Sequence, residues 1–319
     1  MRPRNPARYH GRRDSVIGIA ENDATAAPTG LERFGFAMNA GGPHLARSMM
    51  LSDLVTLLSD NRLEQSRSKL LDAIEDENVL GKRTTRSRKL AARHMGALYG
   101  LDLDVPLYRD FVYLWQRDPD GRPLLAFLVA YARDAVLRTN TQFVLGLKEN
   151  APFIREELEA FIDAQDPGRF SAATLKSTAQ NLATTWTHAG HLKGRVKKVR
   201  QRVRPTPGAV SLALLLGFVT GDRGPLLFES SYMKLLDCSP AAGMELAELA
   251  AVKGWIQFKR VGNVVEVLFP RLLTEQEREW VTTRQDRIID LHGQVPRRGR
   301  YHSRSRDRLP RQASRTKEA

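Results

Sequence analysis

Residues 171–190 most narrow what this chain can become. Leu175, Ala179, Leu182, Trp186 and Ala189 recur at steps of four, three, four and three. That spacing puts all five on one stripe of an α-helix, the seam of a helix packed on a neighbour. Ser171 is placed to cap the start, and Gly190 to end it. The same period recurs along the chain. Gly42–Leu58 carries Leu45, Met49 or Met50, Leu54 and Leu58, with Pro43 in a first turn, and Arg62–Ile74 carries Leu63, Leu70 and Ile74. Gly81 breaks that run. Thr84 or Thr85 then caps a helix that Gly100 stops, with Ala91, Met95 and Leu98 on its apolar stripe. Val105–Trp115 and Arg122–Leu137 read as helices around the turn Asp118-Pro119-Asp120-Gly121, the second apolar enough for a central position. Ala151–Ala164 is another, with Phe153, Leu158, Phe161 and Ile162 for burial. The expectation is a mainly α fold, a multi-helix bundle.

The C-terminal third changes character. Thr206 and Pro207 open one helix, and Ser231–Leu236 is a short one. Ser239-Pro240 opens a helix that runs to Lys253, before Gly254. Trp255–Lys259 and Val264–Leu268 read as strands joined through Val261-Gly262-Asn263, and a helix follows near Thr274–Arg287. Two helices, a tight turn and a short β-hairpin are the parts of a winged helix-turn-helix. The expected organisation is a disordered basic arm at 1–30, a helical domain at 31–205 ending in a basic ribbon, a winged-helix-like domain at 206–288 and a disordered basic tail at 289–319.

Net charge is +14, which favours polyanionic partners: DNA, RNA or an acidic membrane surface. Residues 1–15 carry +4 and residues 293–319 carry +7, so the body is nearly balanced at +3. Within that body two runs contain no acid. Lys82, Arg83, Arg86, Arg88, Lys89 and Arg93 surround a helix start, where free N–H groups and guanidinium forks suit phosphates; Arg86, Lys89 and Arg93 share one face. A solvated helix face is the other reading. Lys193, Arg195, Lys197, Lys198, Arg200, Arg202 and Arg204 put seven cations in twelve residues, which repel unless an anion relieves them. The interleaved Val196, Val199 and Val203 imply one side resting on the body. On the wing, Lys259, Arg260 and Asn263 are the candidates for DNA contact, but the helix in recognition position carries Glu245 and Glu248, a poor groove surface. A structural or protein-binding role for that element is the stronger expectation.

Catalytic signatures are not found. Gly41-Gly42 and Gly217–Gly224 lack the ending of a phosphate-binding loop, and there is no GxSxG elbow. His188 and His191 have a metal-binding spacing but Gly190 between them and no third ligand nearby. Asp72, Glu75, Asp76 and Glu77 read as a solvated helix end. Cys238, the single cysteine, excludes an internal disulfide and a cysteine zinc site and reads as a small core residue. No cofactor or metal is expected. No run approaches the roughly 20 apolar residues of a membrane span, and no signal-peptide segment follows the Arg-rich start, so a reducing cytoplasm is the expected setting.

The order of motifs resembles a known family. An opening helical pair is followed by ENVLGKRTTRSRKLAARHM, an apolar helical middle, then FSAATLKSTAQNLATTWTHAGHLKG, a basic stretch and a proline-started helix. Over roughly residues 32–215 this is similar to BrxA, the small helical protein of BREX bacteriophage-defence systems. The resemblance implies a helical fold comparable to the antitermination factor NusB, winged-helix elements, and DNA binding without catalysis. It matches the family's basic helix start to Lys82, Arg83, Arg86 and Arg88, and its second basic segment to Lys193–Arg204. The arginine-rich tails and the long C-terminal part depart from it. The expected function is a non-enzymatic accessory protein that holds double-stranded DNA by its phosphates alongside other defence components, with no membrane. A docking component of the same system and an RNA-binding NusB-like factor are the alternatives; a nuclease lacks a metal constellation.

Overall fold

A computed structural model describes residues 28–39, 41–59 and 62–282. The basic arm (but for its last three residues) and the basic tail lie outside the described residues, as does the end of the last helix beyond Thr282. The architecture is mainly helical, with two small antiparallel sheets. Helix α1 (Gly30–Phe34) starts in a capping box between Thr29 and Glu32. Helices α2 (Leu51–Leu57), α3 (Arg67–Glu75) and α4 (Thr85–Tyr99) follow. Thr84 caps α4 by accepting the Ser87 N–H, and Gly100 ends it at φ +83°. Ala91, Met95 and Leu98 face inward, as their spacing predicts.

The apolar centre is built by α5 (Pro106–Arg117) and α6 (Arg122–Arg133), then α7 (Ala135–Thr139) and α8 (Thr141–Leu145). Strand β1 (Pro152–Phe153) precedes α9 (Arg155–Gln165) and α10 (Ala172–His188). Ser171 caps α10, and Ala179, Leu182, Trp186 and Ala189 are buried. Strands β2 (Leu192–Lys193) and β3 (Lys198–Arg200) form an antiparallel ribbon; β3 also pairs with β1, giving the order β1-β3-β2. Helix α11 (Pro207–Val219) is apolar all round and buried from Gly208 to Gly217, as such a helix must be. It packs on α5 and α6 and on the following α12 (Ser231–Lys234) and α13 (Pro240–Val252). Its N-terminus rests on the buried Asp118, whose Oδ2 accepts from Thr206 Oγ1 (2.5 Å) and the Gly208 N–H (2.8 Å). Strands β4 (Gln257–Val261) and β5 (Val264–Leu268) pair across a Gly262-Asn263 turn, and α14 (Glu275–Thr282) ends the described chain.

Four expected helices are shorter than their periodicity implies, three of them for a tertiary reason. Gly42–Leu58 splits into a 3-10 turn at Pro43–Leu45 and α2. Asp134 takes the His44 N–H (2.9 Å), Thr185 Oγ1 takes the Met49 N–H (2.9 Å), and Met50 adopts φ +50°. Backbone donors used this way cannot join a continuous helical ladder. Arg122–Leu137 breaks at the same Asp134, whose extended backbone ends α6 and whose Oδ1 caps α7 through Leu137 N–H (3.0 Å). Arg62–Ile74 begins only at Arg67, although Leu63 is buried from the preceding turn. The first residues of Ala151–Ala164 pair with β3 instead of coiling.

Candidate nucleic-acid interface

The second basic run is the ribbon. Gly190 (φ +92°) ends α10 and turns the chain into β2. Gly194 (φ +116°) is required at the hairpin turn, because a Cβ there would meet the Lys197 carbonyl oxygen at 2.0 Å. Leu192 is buried and anchors the base. Lys193, Arg195 and Lys197 are exposed around the tip, and Val196 between the last two is 91% exposed. None of the three cations has a carboxylate within 4 Å among the described residues. Past the strand, Arg202 lies 3.8 Å from Glu149 and stays exposed, as does Arg204.

Two members of that run face the other way. Arg200 is 4% exposed. Its guanidinium holds Asp237 at 2.6 and 2.9 Å and donates to the carbonyls of Val144, His191 and Gln201. It is therefore a structural cation inside the protein and no part of the basic surface. Lys198 is half-buried and donates to Thr187 Oγ1 (2.9 Å) and Gly194 O (3.1 Å); desolvation lowers its pKa. Val203 is buried as expected, but Val196 points to solvent, so the valines do not form one inner side.

The first run divides similarly. Lys82 is held by both oxygens of Asp53 at 2.8 Å, and Arg88 is half-buried and donates to Thr85 Oγ1 (3.1 Å). Arg83, Arg86, Lys89 and Arg93 remain exposed. Six candidate cations thus reduce to four available ones at the start and along the outer face of α4.

On the β4–β5 hairpin, Lys259 sits opposite Glu266 and pairs with it at 3.5 Å. Arg260 and Asn263 are exposed. Leu249 and Val252 on α13 and Val261 and Val264 on the hairpin are also exposed. With Glu245 and Glu248 exposed on α13, this surface is apolar and acidic more than basic.

Possible catalytic groups are engaged elsewhere. His191 is fully buried against Trp186 and Phe127; its Nε2 donates to Leu235 O (2.7 Å), and burial pushes its pKa down to about 4. His188 is exposed on the opposite side. No group of three or more His, Cys, Asp or Glu able to hold a metal occurs among the described residues. Cys238 is half-buried and burial raises its thiol pKa. The sequence pattern did not reveal a buried chain of Asp134, His44 and Thr185. His44 Nδ1 donates to Asp134 Oδ2 (2.8 Å), and Nε2 accepts from Thr185 Oγ1 (2.8 Å). The order is that of a nucleophile triad, but all three residues are buried and the hydroxyl oxygen already accepts the Met49 N–H. It ties three distant segments together.

No protein-family model matches this chain, and no curated protein matches it.

Proposed function

We propose that this chain is a non-enzymatic accessory protein of a BREX-like phage-defence system that binds duplex DNA through its phosphates in the cytoplasm. The observation that carries the reading is the ribbon. A hairpin fastened to the body by Leu192 and Arg200 presents Lys193, Arg195 and Lys197 at its tip without a counter-charge. Exposed, uncompensated cations at a hairpin tip suit a polyanionic backbone, which they contact with release of bound counterions. Arg83, Arg86, Lys89 and Arg93 on α4 supply a second set of cations. Among the described residues no single helix is long and apolar enough to cross a membrane.

A binding titration with duplex DNA over a salt series tests this. Log affinity should fall linearly with log salt, by about 0.9 per contacted phosphate. Absence of binding at low salt defeats the proposal, and a preference for structured RNA transfers the ribbon to an RNA role. A second reading, docking to another defence component, is favoured by the exposed Leu249, Val252, Val261 and Val264 around α13 and its hairpin. Large apolar side chains exposed on one element suit protein contact more than groove contact.

A further inference from the structure

A cleft of about 500 Å³ opens between α3 and α4, away from the ribbon. Its floor is a bare strip of α4. Gly96 and Gly100 lie one turn apart on the face that also carries Arg93. Two guanidinium groups from other helices approach that strip. A Cβ on Gly96 would lie 3.7 Å from Arg67 Nη2, and one on Gly100 3.8 Å from Arg133 Cζ. Arg67 comes from the first position of α3, and Arg133 from the last turn of α6. The glycines leave room for both side chains beside the helix backbone.

Arg67, Arg93 and Arg133 share the cleft with Glu32, Glu75 and Asp102 but pair directly with none of them. Arg133 donates from Nε to Ala97 O (3.2 Å) and from Nη1 to Gly35 O. Carbonyl oxygens orient a guanidinium but do not neutralise it. Among the described residues no carboxylate lies within 4 Å of Arg67, Arg93 or Arg133. Burial, and then the charge of Arg67, lower the Arg133 pKa to about 10. Three acids also line the cleft, and two have local work. Glu32 Oε2 accepts from the Thr29 N–H (2.9 Å) and hydroxyl (3.1 Å), and Asp102 Oδ1 accepts from the Asp104 N–H (3.1 Å). Glu75 makes no ion pair with these arginines. Arg133 has a structural task in fastening the ends of α1 and α4. Arg67 is exposed and has no hydrogen-bond partner among the described residues, so its fork is available to a ligand.

We infer that this cleft is a binding site for a phosphate group, held between the guanidinium groups of Arg67 and Arg133 with Arg93 at its mouth. Planar N–H forks match phosphate oxygens, and an anion between them relieves the repulsion between the two arginines. Leu71 and Val105 on the walls accept an uncharged part of the same ligand. A free phosphoester and a nucleic-acid backbone phosphate share this chemistry. The inference does not depend on the ribbon contacting DNA.

Pyrophosphate titrated calorimetrically into the full chain is the test. Saturable binding is expected. Arg67→Gln should weaken it by about tenfold or more, the loss of one charge-assisted pair, with the melting temperature of the free protein not lowered. Arg133→Lys, which keeps the charge and loses the fork, should weaken it too. Lys197→Glu on the ribbon should leave it unchanged. Competition by a short DNA duplex identifies a backbone phosphate as the source; no competition identifies a free phosphoester. No saturable heat at about millimolar pyrophosphate, the scale of a weak single-site anion contact, overturns the inference. So does an affinity that Arg67→Gln does not alter.

Discussion

Replacing Arg200 by alanine should unfold the protein more readily without removing a DNA contact. The side chain gives hydrogen bonds to the carbonyls of Val144 (3.1 Å), His191 (3.4 Å) and Gln201 and bridges both oxygens of Asp237. Truncation leaves the Asp237 carboxylate, itself only 11% exposed, with the Val203 N–H (3.2 Å) and the neighbouring His191 ring. Removing one partner of such a buried pair costs about 3–5 kcal/mol, because the other charge stays desolvated and uncompensated. At roughly 2–4 °C per kcal/mol, the lower end suiting a chain of this size, the midpoint should fall by about 6–10 °C. Differential scanning calorimetry reads this directly. Lys197→Ala, at an exposed site, should stay within about 0.5 kcal/mol. A double-mutant cycle with Asp237→Asn should recover part of the loss, since the stranded charge is then gone. The reasoning fails if Arg200→Ala melts like the wild type while duplex affinity drops and the salt slope shrinks. That outcome would mean Arg200 reaches solvent and phosphate.

Three further outcomes follow from the same geometry. Reversing the tip with Arg195→Glu and Lys197→Glu should leave the melting temperature within about 2 °C and lower the salt slope of duplex binding by about 1.8, two phosphates at about 0.9 each; an unchanged slope places the contact elsewhere. Thr185→Val should cost about 2–3 kcal/mol in urea denaturation, because the Met49 N–H and His44 Nε2 lose their partner inside the core; near-neutral stability would count against that hydrogen-bonded chain. The depressed His191 pKa makes stability fall with acid. The unfolded imidazole binds a proton near pH 6.5 and the folded one only near pH 4, so stability is lost as pH drops through that window, by about 3 kcal/mol at its lower end. Asp134 and Glu277, both held below their usual values by their partners despite burial, add loss in the same direction further into acid. Denaturation at pH 7 and pH 5 with His191→Phe as control measures the histidine share; equal pH dependence in both proteins assigns it elsewhere.

How far the sequence can be read depends on the range of the interactions. Helix stops and caps are local. Thr84, Ser171, Thr206, Ser239, Gly100, Gly190 and Gly254 each act within a turn of their own position, and each does in the structure what its residue type implies. Helix breaks at Met50 and Asp134 come from partners far along the chain: the Asp134–His44 contact spans 90 positions and the Thr185–His44 contact 141. A three-residue window cannot see them, and apolar periodicity runs on through both. The basic runs show the same limit in a form that matters for function. In Lys193–Arg204 the interleaved valines suggest one side on the body, but the cations fall at both odd and even positions, so a strand's two-fold alternation cannot point all of them outward. In β3, Lys198 and Arg200 lie two apart and both turn toward the protein, Arg200 buried and Lys198 half-buried. Asp237, 37 positions onward and at φ +51°, draws Arg200 inward, while Val196 is left at the tip. Charge density along a chain therefore shows where a polyanion surface can arise, but the acids brought near by the fold decide which cations remain to form it. By that criterion Lys82 belongs to Asp53, Lys259 to Glu266 and Arg200 to Asp237. The cleft between α3 and α4 is the converse case: Arg67 and Arg133 lie 66 positions apart in unremarkable sequence, and folding brings both beside one strip of α4 with no direct ion pair to either.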